Sequence, residues 1–216
     1  MMSLRHPRQI VVAVCVLLAS GASCSLVDER SERRVTDAGF WFEPVTFDSP
    51  KFGEPVTPQE IETIASIARS ELAAAFAGLD IAFSERRNTR YHVRVVQELR
   101  DLRFRRDVWI AGESRAVSGF GGQGAVSFSF LASGAVAYAP DGASRALMVE
   151  AIGNGIGRSA VHEFAHQLLP TLAIHDSTDV QSYEYASATR REQYFGEMRW
   201  DLAWAPLQLR LGTLTR

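Results

Sequence analysis

The sequence predicts an α+β domain in which a twisted mixed sheet is covered by a long helix and by a second helix bearing His162-Glu163-Phe164-Ala165-His166. Three observations predict it. Apolar residues recur with helical period from Ile61 to Phe76, short apolar or alternating runs separated by turn residues read as strands between Leu79 and Ala139, and a helical pattern returns from Ser144 to Leu169 and stops at Pro170.

The chain has 216 residues, and its amino end reads as an export signal. Arg5, His6 and Arg8 precede the apolar stretch Ile10 to Leu18, and the small residues Ala19 to Ser23 lead to Cys24. That stretch is too short to cross a bilayer. Residues 1–23 are therefore expected to be a signal peptide, 24–38 a tether and 39–216 one folded domain. Only two cysteines occur, Cys15 inside the apolar stretch and Cys24 at its end, so the exported chain has no pair for an internal disulfide. Cys24 resembles the lipid-attachment residue of bacterial lipoproteins, with Gly21 where that pattern usually has Leu; plain secretion with cleavage near Ala22 is the other reading. Asp28, Glu29, Arg30, Glu32, Arg33, Arg34 and Asp37 leave Ser25 to Ala38 little to bury, and an extended tether of that length spans roughly 50 Å. The formal charge of −2 becomes −4 once Arg5 and Arg8 leave with the leader, which suggests no nucleic-acid partner. A monomer held at the cell envelope is the expectation.

Within the domain, 46% hydrophobic composition suffices for one core. Phe40-Trp41-Phe42 through Phe47 predicts a first strand, cut by Pro44. Thr57-Pro58-Gln59-Glu60 is a capping box with proline at the first helical position, and Ile61, Ile64, Ala65, Ala68, Leu72, Ala75 and Phe76 give the helix an apolar stripe that ends at Gly78. Leu79 to Phe83 and Tyr91 to Val96 predict strands, the second with alternating Tyr91, Val93 and Val95. The charged run Arg100 to Asp107 reads as a solvated helix or loop. Gly119, Gly121, Gly122 and Gly124 lack the Lys-Ser/Thr ending of a phosphate-binding loop and read as a turn or bulge feeding a strand. Ala135 to Ala139 predicts a short strand ending at Pro140, Ser144 to Leu169 one or two helices in view of Gly153, Gly155 and Gly157, and Arg190 to Leu211 a helix interrupted by Gly196 and Pro206.

The pentapeptide carries the chemistry. Histidines four apart on a helix project from one face and are spaced to grip a single Zn²⁺, and Glu163 beside the first is placed to act on a water at that metal. Ile156, Ala160, Val161, Phe164, Ala165 and Leu168 place the motif in a buried helix, where unliganded histidines would be costly. Two histidines and a glutamate on an ordinary amphipathic helix are the plain structural alternative. His6 falls in the leader and His92 in a strand; His175 alone of the others invites a ligand role.

With these motifs in that order, the chain resembles the zincin metallopeptidases, and within them the metzincins. The matrix-metalloproteinase branch has a similar run of helix and strands, with a strand end like Ala137-Tyr138-Ala139-Pro140 before the active-site helix. The resemblance extends to His175-Asp176-Ser177-Thr178-Asp179-Val180-Gln181-Ser182-Tyr183-Glu184-Tyr185, which is similar to the segment of third ligand and following turn. Leu169 stands where those proteins have a turn glycine, eight residues rather than five separate His166 from His175, and no methionine occupies the place of their Met-turn. The resemblance implies a zinc-dependent metalloendopeptidase acting on peptide or protein substrates.

The third ligand stays open between His175, which would complete a three-imidazole site with one free position, and Glu184, which a gluzincin-like site would use. Asp176, Asp179 and Glu192 are further candidates. In the hydrolysis the resemblance implies, Glu163 takes the proton of the attacking water and delivers it to the leaving amine, while Tyr183 or Tyr185 donates to the oxyanion. The strand Ala135 to Ala139 would bind an extended peptide by strand addition. A different class of function fits the same residues: a tethered peptide- or wall-binding module with little or no turnover. Intact Glu163 argues against it, since pure binding needs no base.

Overall fold

The computed structural model describes residues 35–101, 108–117, 121–170 and 174–213. In chain order it contains β1 (Thr36–Phe42), α1 (Pro58–Ala75), β2 (Ile81–Ser84), β3 (Tyr91–Val96), β4 (Arg100–Asp101), β5 (Val108–Trp109), β6 (Gly112–Val117), β7 (Gly121–Ser127), α2 (Phe128–Tyr138), α3 (Arg145–Leu168), α4 (Glu192–Phe195) and α5 (Trp204–Leu211). Five strands form one mixed sheet in the order β2-β1-β3-β7-β6. The first four are parallel, and β6 runs antiparallel to β7 at one edge. β4 and β5 pair as a separate antiparallel ribbon.

The core lies where α1 and α3 pack on each other and on this sheet, α1 against β1 and β2 and α3 against β3, β7 and β6. β1 has a parallel partner on each side, so its middle is covered as a run: Ala38, Gly39, Phe40 and Trp41 are all buried. β3 keeps the alternation its sequence shows, with Tyr91, Val93 and Val95 buried and Arg94 exposed. The capping box forms as expected: the Thr57 N–H donates to the Glu60 carboxylate at 2.8 Å and the Glu60 N–H donates to the Thr57 hydroxyl at 3.3 Å.

The glycines of α3, and Gly122 in β7, are explained by close approach rather than by turns. α3 is one continuous helix, and Gly153 and Gly157 lie one turn apart on the side that meets α1. A Cβ at Gly153 would lie 2.7 Å from the Ile67 Cβ, and one at Gly157 would lie 2.7 Å from the Glu71 Cβ and 2.9 Å from the Ala68 carbonyl oxygen. Each glycine forgoes about 1 kcal/mol of helix propensity relative to alanine. Contact between the two helices offsets that loss. In β7, Gly122 leaves room for the Gln167 side chain, whose Cγ would be 2.5 Å from a Cβ there. Gln167 crosses β7 and reaches β3, accepting from the His92 N–H at 3.2 Å and donating to the His92 carbonyl at 3.0 Å, and it also donates to the Ser114 hydroxyl on β6 at 3.0 Å.

Several sequence expectations need correction. Ala135 to Ala139 is not a strand: Ala135 to Tyr138 are the last turn of α2, so neither the strand-end likeness of Ala137-Tyr138-Ala139-Pro140 nor peptide addition along it holds. Phe128, Leu131, Ala132, Ala135 and Val136 are buried at helical spacing, and Ser127 caps the helix by accepting from the Phe130 N–H. Gly121, Gly122 and Gly124 belong to β7, while Gly119 lies outside the described residues. Arg100 and Asp101 form β4, and 102–107 lie outside the described residues. β1 takes in Thr36, Asp37 and Ala38, so the fold begins inside the stretch assigned to the tether. The leader and Cys24 fall outside the described residues. Between Arg190 and Leu211 there are two short helices, α4 and α5, instead of one.

Replacing Gly157 with alanine tests the helix contact. The expected outcome is a net loss of about 1–3 kcal/mol in urea unfolding, because the new methyl meets backbone that cannot yield, despite the gain of about 1 kcal/mol in helix propensity. An unchanged or raised unfolding midpoint would show that the two helices are not held this closely.

Candidate metal centre

His162 and His166 stand one turn apart near the carboxyl end of α3. The helix stops at Leu169 and Pro170, and a short 3-10 turn, Ile174–Asp176, returns His175 to the same face. Ile174, 2% exposed, plugs that turn into the core. The Nε2 atoms of His162 and His175 are 3.0 Å apart, and each of the other two pairs is 3.1 Å apart.

Three mutual contacts of this kind cannot all be hydrogen bonds, because each Nε2 offers either one lone pair or one N–H along a single direction. The His162 tautomer is fixed from its other side: Nδ1 donates to the Tyr183 carbonyl at 2.7 Å, which leaves Nε2 with its lone pair toward the other two rings. Burial pushes His162 down to about 3, with His166 adding to the effect, and burial followed by His175 pushes His166 down to about 4. Both imidazoles are thus neutral at ordinary pH. Three imidazole nitrogens about 3 Å apart fit one metal ion, since ligands at 2.0 to 2.1 Å around a tetrahedral centre are about 3.3 Å from each other. Among the described residues this is the one group of histidine, cysteine and acidic side chains so placed.

Glu163 points to the neighbouring strand. Its carboxylate lies against β6 where Gly112 has no side chain; a Cβ there would be 2.3 Å from Oε1. Its backbone carbonyl accepts from the Ser114 hydroxyl at 3.0 Å, which ties the motif to the same strand. Burial, and secondarily the charge of Glu113, raises the Glu163 carboxyl to about 8. The triad and Glu163 lie in a cleft of about 810 Å³ lined also by residues of β6, by Tyr183 and Tyr185, and by Trp109.

Glu184, the rival third ligand, is fully buried and engaged elsewhere. Its carboxylate accepts from the N–H of Asp201 at 3.0 Å, from the N–H of Ala203 and from the Ser182 hydroxyl. It fastens the chain after His175 to the segment before α5, and the structure brings His175, not Glu184, to the histidine pair. Asp176, Asp179 and Glu192 also stay outside the triad. Asp179 accepts from the Gln181 N–H at 2.9 Å and pairs with Arg199 at 2.7 Å. The carbonyl of Glu192 accepts from Arg158 at 2.9 Å.

Tyr183 serves the site differently from the oxyanion role expected of it. Its hydroxyl donates to Glu71 on α1 at 2.8 Å, its ring packs on Trp200 at 5.0 Å, and its carbonyl holds His162. Burial and then Glu71 push that phenol up, so it stays a donor. Tyr185 lines the cleft with the Arg190 guanidinium 4.7 Å over its ring. Sequence reasoning missed Glu71, Arg158, Gly112 and Ser114. Arg158 carried a signal, a charged residue one turn before His162 between the apolar Ile156 and Ala160; the other three carried none without the fold.

Alanine at His162, His166 or His175 should each remove the bound metal, measured as ions per chain by elemental analysis after dialysis, because two imidazoles hold an ion poorly. Full occupancy in any one of these variants would exclude that residue from the site. No protein-family model, no curated protein and no solved structure matches this chain.

Proposed function

We propose that this chain is a zinc-dependent metallopeptidase of the zincin type that hydrolyses peptide bonds at the bacterial cell envelope. The observation that carries the reading is the convergence of three imidazole nitrogens 3.0 to 3.1 Å apart beside a buried carboxyl in an open cleft. Three histidines and a free fourth position are the ligand set of a hydrolytic zinc site rather than of a closed structural one. Bound there, Zn²⁺ supplies a Lewis acid that lowers the pKa of a water and polarises a carbonyl.

The residues of the chain divide the remaining work. Glu163 accepts the proton of the attacking water and passes it to the leaving amine. A cation on the neighbouring His162 opposes the burial that raises this carboxyl, and so favours the ionised form a base requires. His162 is held in its ligating tautomer by the Tyr183 carbonyl. Tyr185 remains the tyrosine proposed to donate to the oxyanion, since the Tyr183 hydroxyl is committed to Glu71. β6 has β7 as its sheet partner and stands at the sheet edge beside Glu163, so an extended peptide adding along Gly112 to Val117 would be laid across the triad. Cys24 is the proposed lipid-attachment residue, which would keep the domain at the membrane surface.

Turnover of a peptide library tests the reading. Wild type should cleave and lose activity to a chelator, and Glu163→Gln should keep its metal while kcat falls about 10²- to 10⁴-fold. Gly112→Ala, whose methyl displaces the Glu163 carboxylate, should lower kcat about tenfold or more at unchanged metal content. A wild type that binds metal and peptide without cutting would instead assign the tethered binding module. In cells, Cys24→Ser should abolish incorporation of labelled palmitate and free the protein from the membrane fraction; a wild type that takes up no label would remove the anchor.

A further inference from the structure

We propose that Glu71, on α1, is a positioning residue for the metal centre, acting through Tyr183 on His162. The inference rests on the proposed metal role of the triad. Glu71 has no place in the zinc motif and is distant from it in sequence, yet its side chain is only 15% exposed and is wedged between α1 and α3. Gly157 makes the room, since any Cβ there would lie 2.7 Å from that of Glu71. Two donors converge on the carboxylate: the Tyr183 hydroxyl at 2.8 Å and Arg158 Nε at 3.2 Å.

The Tyr183 residue spans the distance from this helix contact to the triad. Its hydroxyl is pinned by Glu71 at one end, and at the other its carbonyl accepts from His162 Nδ1 at 2.7 Å. Arg158 fixes the carboxylate in turn, because its other guanidinium nitrogens donate to the carbonyls of Glu192 and Gly196, both at 2.9 Å. A histidine ligand depends on the partner of its second nitrogen for tautomer and ring orientation, and loss of such a partner typically weakens metal binding 10- to 100-fold. Here that partner is a backbone carbonyl, which no substitution removes. Its placement is open to substitution through Glu71 and the Tyr183 hydroxyl.

The test is Co²⁺ binding by the full-length protein, titrated in competition with a chromophoric chelator and read also as the visible absorption of the bound ion. Glu71→Ala and Tyr183→Phe are each expected to weaken Co²⁺ binding about tenfold and to alter the intensity of the visible band. The double variant should lose no more than either single one, because both break the same link. Single variants within about twofold of wild type, or losses that multiply in the double variant, overturn the proposal. Should Glu71→Ala fail to fold with Arg158 left unpaired, Tyr183→Phe decides alone, since it removes one hydroxyl and leaves the ion pair. A wild type that binds no Co²⁺ overturns the metal site itself and this inference with it, whereas tight wild-type binding with unaffected variants overturns this inference only.

Discussion

Three imidazole nitrogens held within 3.1 Å of one another are the constraint around which the rest of this structure is arranged. Nitrogens this close cannot all hydrogen-bond to one another, so contacts elsewhere in the chain must hold the rings in place. His162 and His166 are fixed by a helix buried along almost its whole length. His175 has no such support: it arrives from a short turn, anchored by the buried Ile174 and stabilised behind by the Glu184 network. The position along the helix also matters. The last turn of α3 carries the partial negative charge of unpaired carbonyls, a place where a cation is favoured.

Three glutamates near the site show how partners, and not residue type, decide what a carboxyl does. Glu184 is fully buried and accepts only from backbone and hydroxyl donors, so it acts as a fastener for the chain that follows the third histidine. Glu71 accepts from an arginine and a phenol and links two helices to the Tyr183 carbonyl. Glu163 lies against a glycine, with Glu113 as the nearby charge that raises it further. A buried carboxyl without a compensating donor is unstable as an anion and therefore responsive to any cation placed beside it. On the proposed reading this sets Glu163 apart as the reactive member, while the other two hold the chain in place.

Local pattern carried the elements whose period was long or whose capping was explicit. The helix behind Thr57, the alternation of Tyr91 to Val95 and the histidine pair of the pentapeptide all follow from neighbours within a few positions. Ala135 to Ala139 failed because small residues score weakly for either period, and the buried stripe that defines α2 begins earlier, at Phe128. The three glycines of α3 suggested a break, yet they face Ile67, Tyr194 and Glu71, partners far away in sequence. On the sequence alone His175 is the metzincin-like choice for the third ligand and Glu184 its rival; the fold separates them by bringing His175 to the pair and committing Glu184 to Asp201, Ala203 and Ser182. What the sequence hides at this site is therefore the set of long-range contacts, beginning with Glu71 and Gly112.

The two kinds of ligand support give the centre an asymmetry with consequences for how it tolerates change. A metal ligand on a core helix is preset, because any rotation of α3 would disturb the contacts of Ile156, Ala160, Phe164 and Leu168 together. His175, the proposed third ligand, is the exposed one of the three histidines. Among the described residues, what places it is the buried Ile174 beside it and the Glu184 network behind the segment that follows, so two of the proposed ligands depend on a whole helix and the third on a single apolar anchor.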